Sequence, residues 1–225
     1  GSINGGTVTN AGTIRFNRSD ASSCDASISG GSFSKLGAGT LTLSGNNSFG
    51  SGTLTLGGGT ANTGYIRLAH PKALGNYSKI YLASGTSGVS GIEVSGGFSF
   101  NYAIDTIGRN TNAGNTMLRN VSGLNIWEGN ITITSGGGSY DIESLADELV
   151  ITGNIGVSVA NINSRTLNVK GAGDVTFEGT VTDLATTPIA INKTGAGTLR
   201  IDNHNTATGA ISVTGGSLII NGSVI

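Results

Sequence analysis

Lys35-Leu36-Gly37-Ala38-Gly39-Thr40-Leu41-Thr42-Leu43-Ser44-Gly45-Asn46-Asn47 recurs further along the chain as Lys193-Thr194-Gly195-Ala196-Gly197-Thr198-Leu199-Arg200-Ile201-Asp202-Asn203-His204-Asn205. A weaker copy reads Lys170-Gly171-Ala172-Gly173-Asp174-Val175-Thr176-Phe177. Within each copy apolar and polar residues alternate, the period of a strand with one buried face, and a glycine pair supplies a corner. The same alternation runs through Thr13-Ile14-Arg15-Phe16, Thr53-Leu54-Thr55-Leu56, Tyr65-Ile66-Arg67-Leu68, Lys79-Ile80-Tyr81-Leu82, Ile131-Thr132-Ile133 and Ile211-Ser212-Val213. Leu41, Leu54, Ile66, Ile80 and Ile92 mark a strand and a turn every dozen residues. That spacing alone fits a sandwich, a barrel or a solenoid. Internal repetition selects the solenoid.

The fold expected is all-β, a right-handed parallel β-helix over 1–225, with the clearest repeats at 35–59 and 193–222 and a β-sandwich as the alternative. A coil of about two dozen residues gives roughly nine coils and a rod near 45 Å long at about 4.8 Å per coil. The expected core includes Leu41, Leu43, Leu54, Leu56, Ile66, Leu68, Ile131, Ile133, Leu199, Ile201, Ile211, Val213, Leu218 and Ile220. Gly57-Gly58-Gly59 and Gly136-Gly137-Gly138 read as turns.

Composition agrees. Of 225 residues 39 are Gly and 2 are Pro, and Gly, Ser, Thr and Asn make up about half the chain. That mixture starves helices and feeds turns and exposed strand positions. With 36% hydrophobic residues and a net charge of −1 the chain has the means to fold, and the glycines follow no collagen period. Twelve basic residues against 13 acidic ones, with no basic cluster, leave no footprint for nucleic acid or an anionic membrane surface. The single cysteine, Cys24, makes no internal disulfide. No 18-residue apolar run is present, and Gly1-Ser2 reads as a cloning remnant or a cut inside a longer protein.

The two strong copies resemble the passenger-associated transport repeat of secreted bacterial β-helices, whose pattern runs K-x-G-x-G-T-L-x-L-S-G-x-N-x-Y-x-G and then T-x-V-x-x-G-x-L. Phe49 stands at the aromatic position of the first copy, whereas Ala207 replaces it in the second and Asp202-Asn203 replaces Ser-Gly. Asn10–Ile14, Ala69–Gly75 and Asn125–Thr132 are shorter echoes. The resemblance implies a passenger segment of an autotransporter: exported through the outer membrane, displayed outside a bacterial cell, and acting as a stalk or adhesive surface. It further implies that the repeats assist secretion, each folded coil templating the next, while any outer-membrane barrel lies outside this segment. Partners expected on that basis are a host surface or a glycan, with end-to-end self-association of bare sheet edges and no membrane insertion by the segment itself.

No catalytic, cofactor or metal residues are assigned, and the ligand-binding residues stay unknown. Among the acids only Asp141, Glu143, Asp147 and Glu148 cluster, with Asp141 and Glu143 on one strand face. They read as a solvated edge rather than a sugar-cleaving pair. His70 and His204 lack partners at zinc-ligand spacing, and no G-x-S-x-G elbow occurs. Gly171-Ala172-Gly173 opens into a strand, not into the helix that would hold a phosphate. Asn46-Asn47 and Asn203/Asn205 read as structural corners. Tyr65, Tyr77, Tyr81, Tyr102 and Trp127 read as packing and capping residues; a carbohydrate-binding module, the alternative to a structural role along with a polysaccharide-degrading enzyme, would use them instead as exposed stacking platforms.

Overall fold

A computed structural model describes residues 2–59, 63–85, 89–107, 116–135, 138–158 and 164–224. Their alternating pattern does become strands, and the strands stack in parallel into three long sheets. Sheet I holds nine: Ser22–Cys24, Leu41–Leu43, Gly64–Leu68, Ser90–Ser95, Leu118–Ser122, Ser139–Ser144, Arg165–Lys170, Ile189–Lys193 and Ile211–Val213. Sheet II holds six, from Ser99–Phe100 to Ser217–Ile220, and sheet III eight, from Gly52–Gly59 to Ser223–Val224. Two short parallel pairs, Thr7–Thr9 with Ser27–Ser29 and Thr13–Asn17 with Ser32–Leu36, sit at the N-terminal end. The architecture is a parallel β-solenoid. A sandwich is excluded, because no two named strands pair antiparallel; among the described residues the bridge Leu184–Thr187 alone runs that way.

Register sets the coil length. Leu41 lies opposite Ile66, Ile66 opposite Ile92, Ile92 opposite Leu118 and Leu118 opposite Ile142, so one coil takes up about 25 residues. Towards either end, where Ile14 faces Phe33 and Leu199 faces Leu218, a coil is about a quarter shorter. Nine layers of sheet I at about 4.8 Å span about 38 Å. The dozen-residue step is half a coil, since Leu41, Ile66 and Ile92 belong to sheet I and Leu54 and Ile80 to sheet III.

One apolar column fills the interior, and ten of the fourteen expected core residues, from Leu41 to Ile201, are buried in it. The other four require correction. Ile211 and Leu218 are only partly buried, while Val213 and Ile220 are 45% and 42% exposed. All four face inward in register but lie in the last layer, with a coil on one side only. A second correction concerns Gly57-Gly58-Gly59, which is no turn: the strand runs on through Gly59, pairing Gly57 with Ala83 and Gly59 with Gly85. Gly136 and Gly137 lie outside the described residues.

Aromatic side chains continue the column. Phe16, Phe33, Phe49 and Tyr77 stack from coil to coil at centroid distances of 5.8, 5.2 and 6.2 Å. Phe98, Phe100, Trp127 and Tyr102 form a second run.

Candidate functional site

Three places concentrate polar chemistry: the corners of the recurring motif, a row of charges outside sheet I, and an acidic depression beside sheet II.

At the corners, Lys35 and Lys193 occupy inward positions, continuing the alternation of Phe33 and of Ile189 and Ile191, and both are buried. The Lys35 Nζ donates to the carbonyls of Leu36, Gly37 and Thr63 at 3.0, 2.8 and 2.8 Å. The Lys193 Nζ donates to those of Thr194, Gly195 and Gly215 at 2.8, 3.0 and 3.3 Å. In each case two acceptors belong to the lysine's own corner and the third to the coil that follows. Burial pushes the Lys35 ammonium down to about 8 and lowers Lys193 as well.

The glycines have matching reasons. Gly37 and Gly195 adopt φ of 75° and 78°, and a Cβ on Gly39 or Gly197 would run into the carbonyl of Asp20 or Gly173 in the preceding coil. Lys170 is not the counterpart of Lys193: Val169 is, and Lys170, one residue further along, points outward to Asp141 at 2.7 Å. A single step of parity flips a side chain to the other face.

The asparagine corners are structural where they are buried. Asn47 accepts from the Ile28 N–H and donates to the Ala73 carbonyl, both at 2.8 Å, clipping three coils together. Asn205 accepts from the Ala207 N–H, while Asn46 and Asn203 are exposed.

Outside sheet I, Arg67, Glu93, Arg119, Glu143 and Lys170 stand in one register row. Glu93, 3% exposed, is bound by Arg67 at 2.8 Å and by Arg119 at 3.0 Å, and Arg119 also holds Glu143 at 2.6 Å. The Arg119 guanidinium lies 4.8 Å over the Tyr65 ring. Burial opposes its charge, but Tyr65, Glu143 and Glu93 together raise its pKa. The sequence motifs contain no hint of this row, because successive members are separated by a full coil of chain and meet only through register.

Structure divides the expected acid cluster. Asp141 and Glu143 do share a face, and both are occupied, by Lys170 with Asn168 and by Arg119. Asp147 and Glu148 join Asp174 instead, around a shallow depression of about 500 Å3 that also includes Leu124 and Ala172. Glu148 lies opposite Asp174 in register. Each carboxylate already serves the fold: Asp147 accepts from the Gly123 N–H, Glu148 from the Thr176 hydroxyl and Asp174 from the Thr198 N–H, at 2.6, 2.6 and 2.7 Å. Glu148 and Asp174 occupy the same register position in adjacent coils of sheet II.

The aromatic platform is overturned. Tyr65, Tyr77, Tyr102 and Trp127 are 8%, 8%, 4% and 0% exposed, and Tyr81 is half-buried. Tyr102 donates to the Pro71 carbonyl at 2.8 Å and accepts from the Leu74 N–H, which ties down the turn at 71–76. His70 is partly buried and accepts from the Lys72 N–H, while exposed His204 bonds the Ser223 hydroxyl. Among the described residues no group of three His, Cys, Asp or Glu side chains is placed to hold a metal ion.

The corners are where a known family's model matches the chain. Residues 33–50 and 191–220, which include both buried lysines and their glycines, match the model of the passenger-associated-transport-repeat. The chain carries passenger-associated transport repeats. No curated protein and no solved structure shows significant similarity to it. The two repeats turn different corners: the first leads from the Ser32–Leu36 strand into sheet I, the second from sheet I into sheet II. The repeat is therefore a portable corner, defined by its own backbone and not by one edge of the solenoid.

Proposed function

We propose that this chain is a structural passenger segment of an autotransporter-like protein, displayed at a bacterial cell surface as a β-helical stalk. The observation that carries this reading is the repeat match at residues 33–50 and 191–220 on a stack of in-register coils. A stack of this kind grows by adding one coil to a finished edge, which suits a chain that folds as it emerges from a membrane. On the outer face of sheet I the charged side chains are paired with one another. Those pairings argue against an enzyme, and the burial of the aromatics argues against a sugar-stacking module. A host surface or a glycan remains the partner class that fits a displayed stalk. Self-association would run end to end through the edges at Thr13–Asn17 and Ser217–Ile220. Among the described residues no helix is long and apolar enough to cross a membrane.

The test is antibody labelling against residues 116–158 in cells that express the whole protein. Labelling of intact cells that extracellular protease removes is the expected result. Labelling that needs permeabilised cells would overturn the reading.

A further inference from the structure

We infer that the lysine of each repeat is a register mark, a buried ammonium that fixes where the following coil docks. Both lysines have the same arrangement, two acceptors from their own corner and one from the next coil, Thr63 for Lys35 and Gly215 for Lys193. An ammonium has three protons to donate, and the three carbonyls use them all. The strand that leads up to Gly215 holds its own register weakly, although the next strand of the same coil, Ser217–Ile220, pairs in full with Thr198–Ile201. That leading strand, Ile211–Val213, is short, with Ser212 and Val213 exposed, so sliding it by one residue loses little apolar burial. Such a slide moves the Gly215 carbonyl by about 3.4 Å and leaves a buried charge one acceptor short. The mark therefore acts by penalising wrong registers.

The stabilisation it brings to the right register is small, because desolvating the ammonium offsets its hydrogen bonds, as the lowered pKa of both lysines indicates. Lys170 shows the contrast within the same chain: one residue out of parity, it points outward and marks nothing. This inference stands on the two corners alone and survives if the export reading fails.

Cross-linking reads register directly. In the full chain carrying Cys24→Ala, the pair Asn192→Cys/Ser212→Cys joins residues that face each other in the native register. The pair Asn192→Cys/Val213→Cys has its side chains on opposite faces and closes only after a one-residue slip. Each pair is refolded from urea under oxidising conditions with Lys193 intact, with Lys193→Met and with Lys170→Met. The expected result is at least about a threefold rise in the slipped cross-link with Lys193→Met, an unfolding midpoint close to the parent's, and no change with Lys170→Met. If Lys193→Met does not fold, Lys35→Met takes its place, read through Thr42→Cys/Arg67→Cys, which are register partners, against Thr42→Cys/Leu68→Cys. An unchanged slipped fraction overturns the inference. So does failure of both lysine variants to fold, which would make the lysine a stabilising contact and not a register mark.

Discussion

A methyl group on Gly197 would collide with the Gly173 carbonyl of the coil beneath, and one on Gly39 with the Asp20 carbonyl. Backbone is the obstacle in both cases, so neither clash is relieved by a side chain swinging away. Gly197→Ala is therefore expected to cost at least about 2 kcal/mol in urea unfolding, whereas Gly12→Ala, with nothing within 4 Å and no positive φ, stays within about 0.5 kcal/mol. Equal midpoints for the two variants would contradict the close stacking of corners.

Lys35 supplies a pH dependence. In the unfolded chain its ammonium has its ordinary pKa of 10.5, and in the folded protein that falls to about 8. Between those values the unfolded chain binds more protons, so this group's contribution to stability rises with pH through the window and is least favourable below the folded value. Urea midpoints measured across that window should climb more steeply for the parent than for Lys35→Met; parallel profiles would refute the assignment.

Much of this scale was legible in advance, because alternation in Leu41-Thr42-Leu43 states which side chains point inward. The lysines were missed even though Ser32-Phe33-Ser34-Lys35 places Lys35 at an inward position by the same rule. The residue type spoke for solvent, and three backbone carbonyls overrode it.

Between strands, the charged row is the group whose energetics differ most from its surface position. Arg119→Ala would leave Glu93, 3% exposed, without one of its two arginines and Glu143 with the Thr116 hydroxyl but no arginine. The expected loss is about 3 kcal/mol in urea unfolding and is largely insensitive to added salt at about 1 M. Arg18→Ala, which breaks an Arg18–Asp20 pair 40% and 62% exposed, should leave the urea midpoint close to the parent's. A loss of similar size in both would mean that the row is an ordinary solvated face.

The same scale explains why the aromatics pack inward and form no platform. In Asn125-Ile126-Trp127 the outward residue is the isoleucine, while the asparagine and the tryptophan face inward, so polarity inverts the usual parity. Trp127 packs between Phe100 and Tyr102, and Trp127→Ala should cost about 3–5 kcal/mol. A glycan-array signal that is lost in that variant without any loss of stability would restore the sugar-binding reading. Sheet II was legible only in part: Thr198–Ile201 alternates openly, whereas a strand as short as Ser99–Phe100 carries no period.

Across the whole molecule the strands of the three long sheets pair with their counterparts in the coils before and after. A few side chains reach one coil further, as the Tyr77 hydroxyl does in accepting from the Phe33 N–H and the Tyr65 hydroxyl in accepting from the Thr116 N–H. Stability is therefore built from near neighbours along the rod. Repetition was plain in the sequence, but which segments are neighbours was not, because coil length varies by about a quarter along the rod and only register reveals it. Pulling the molecule from its two ends in a single-molecule force experiment examines the stacking most directly. Release of the chain in successive steps of one coil or a small multiple, each coil adding about 85 Å of contour length, is the expected trace. One all-or-none rupture of the entire chain would contradict it.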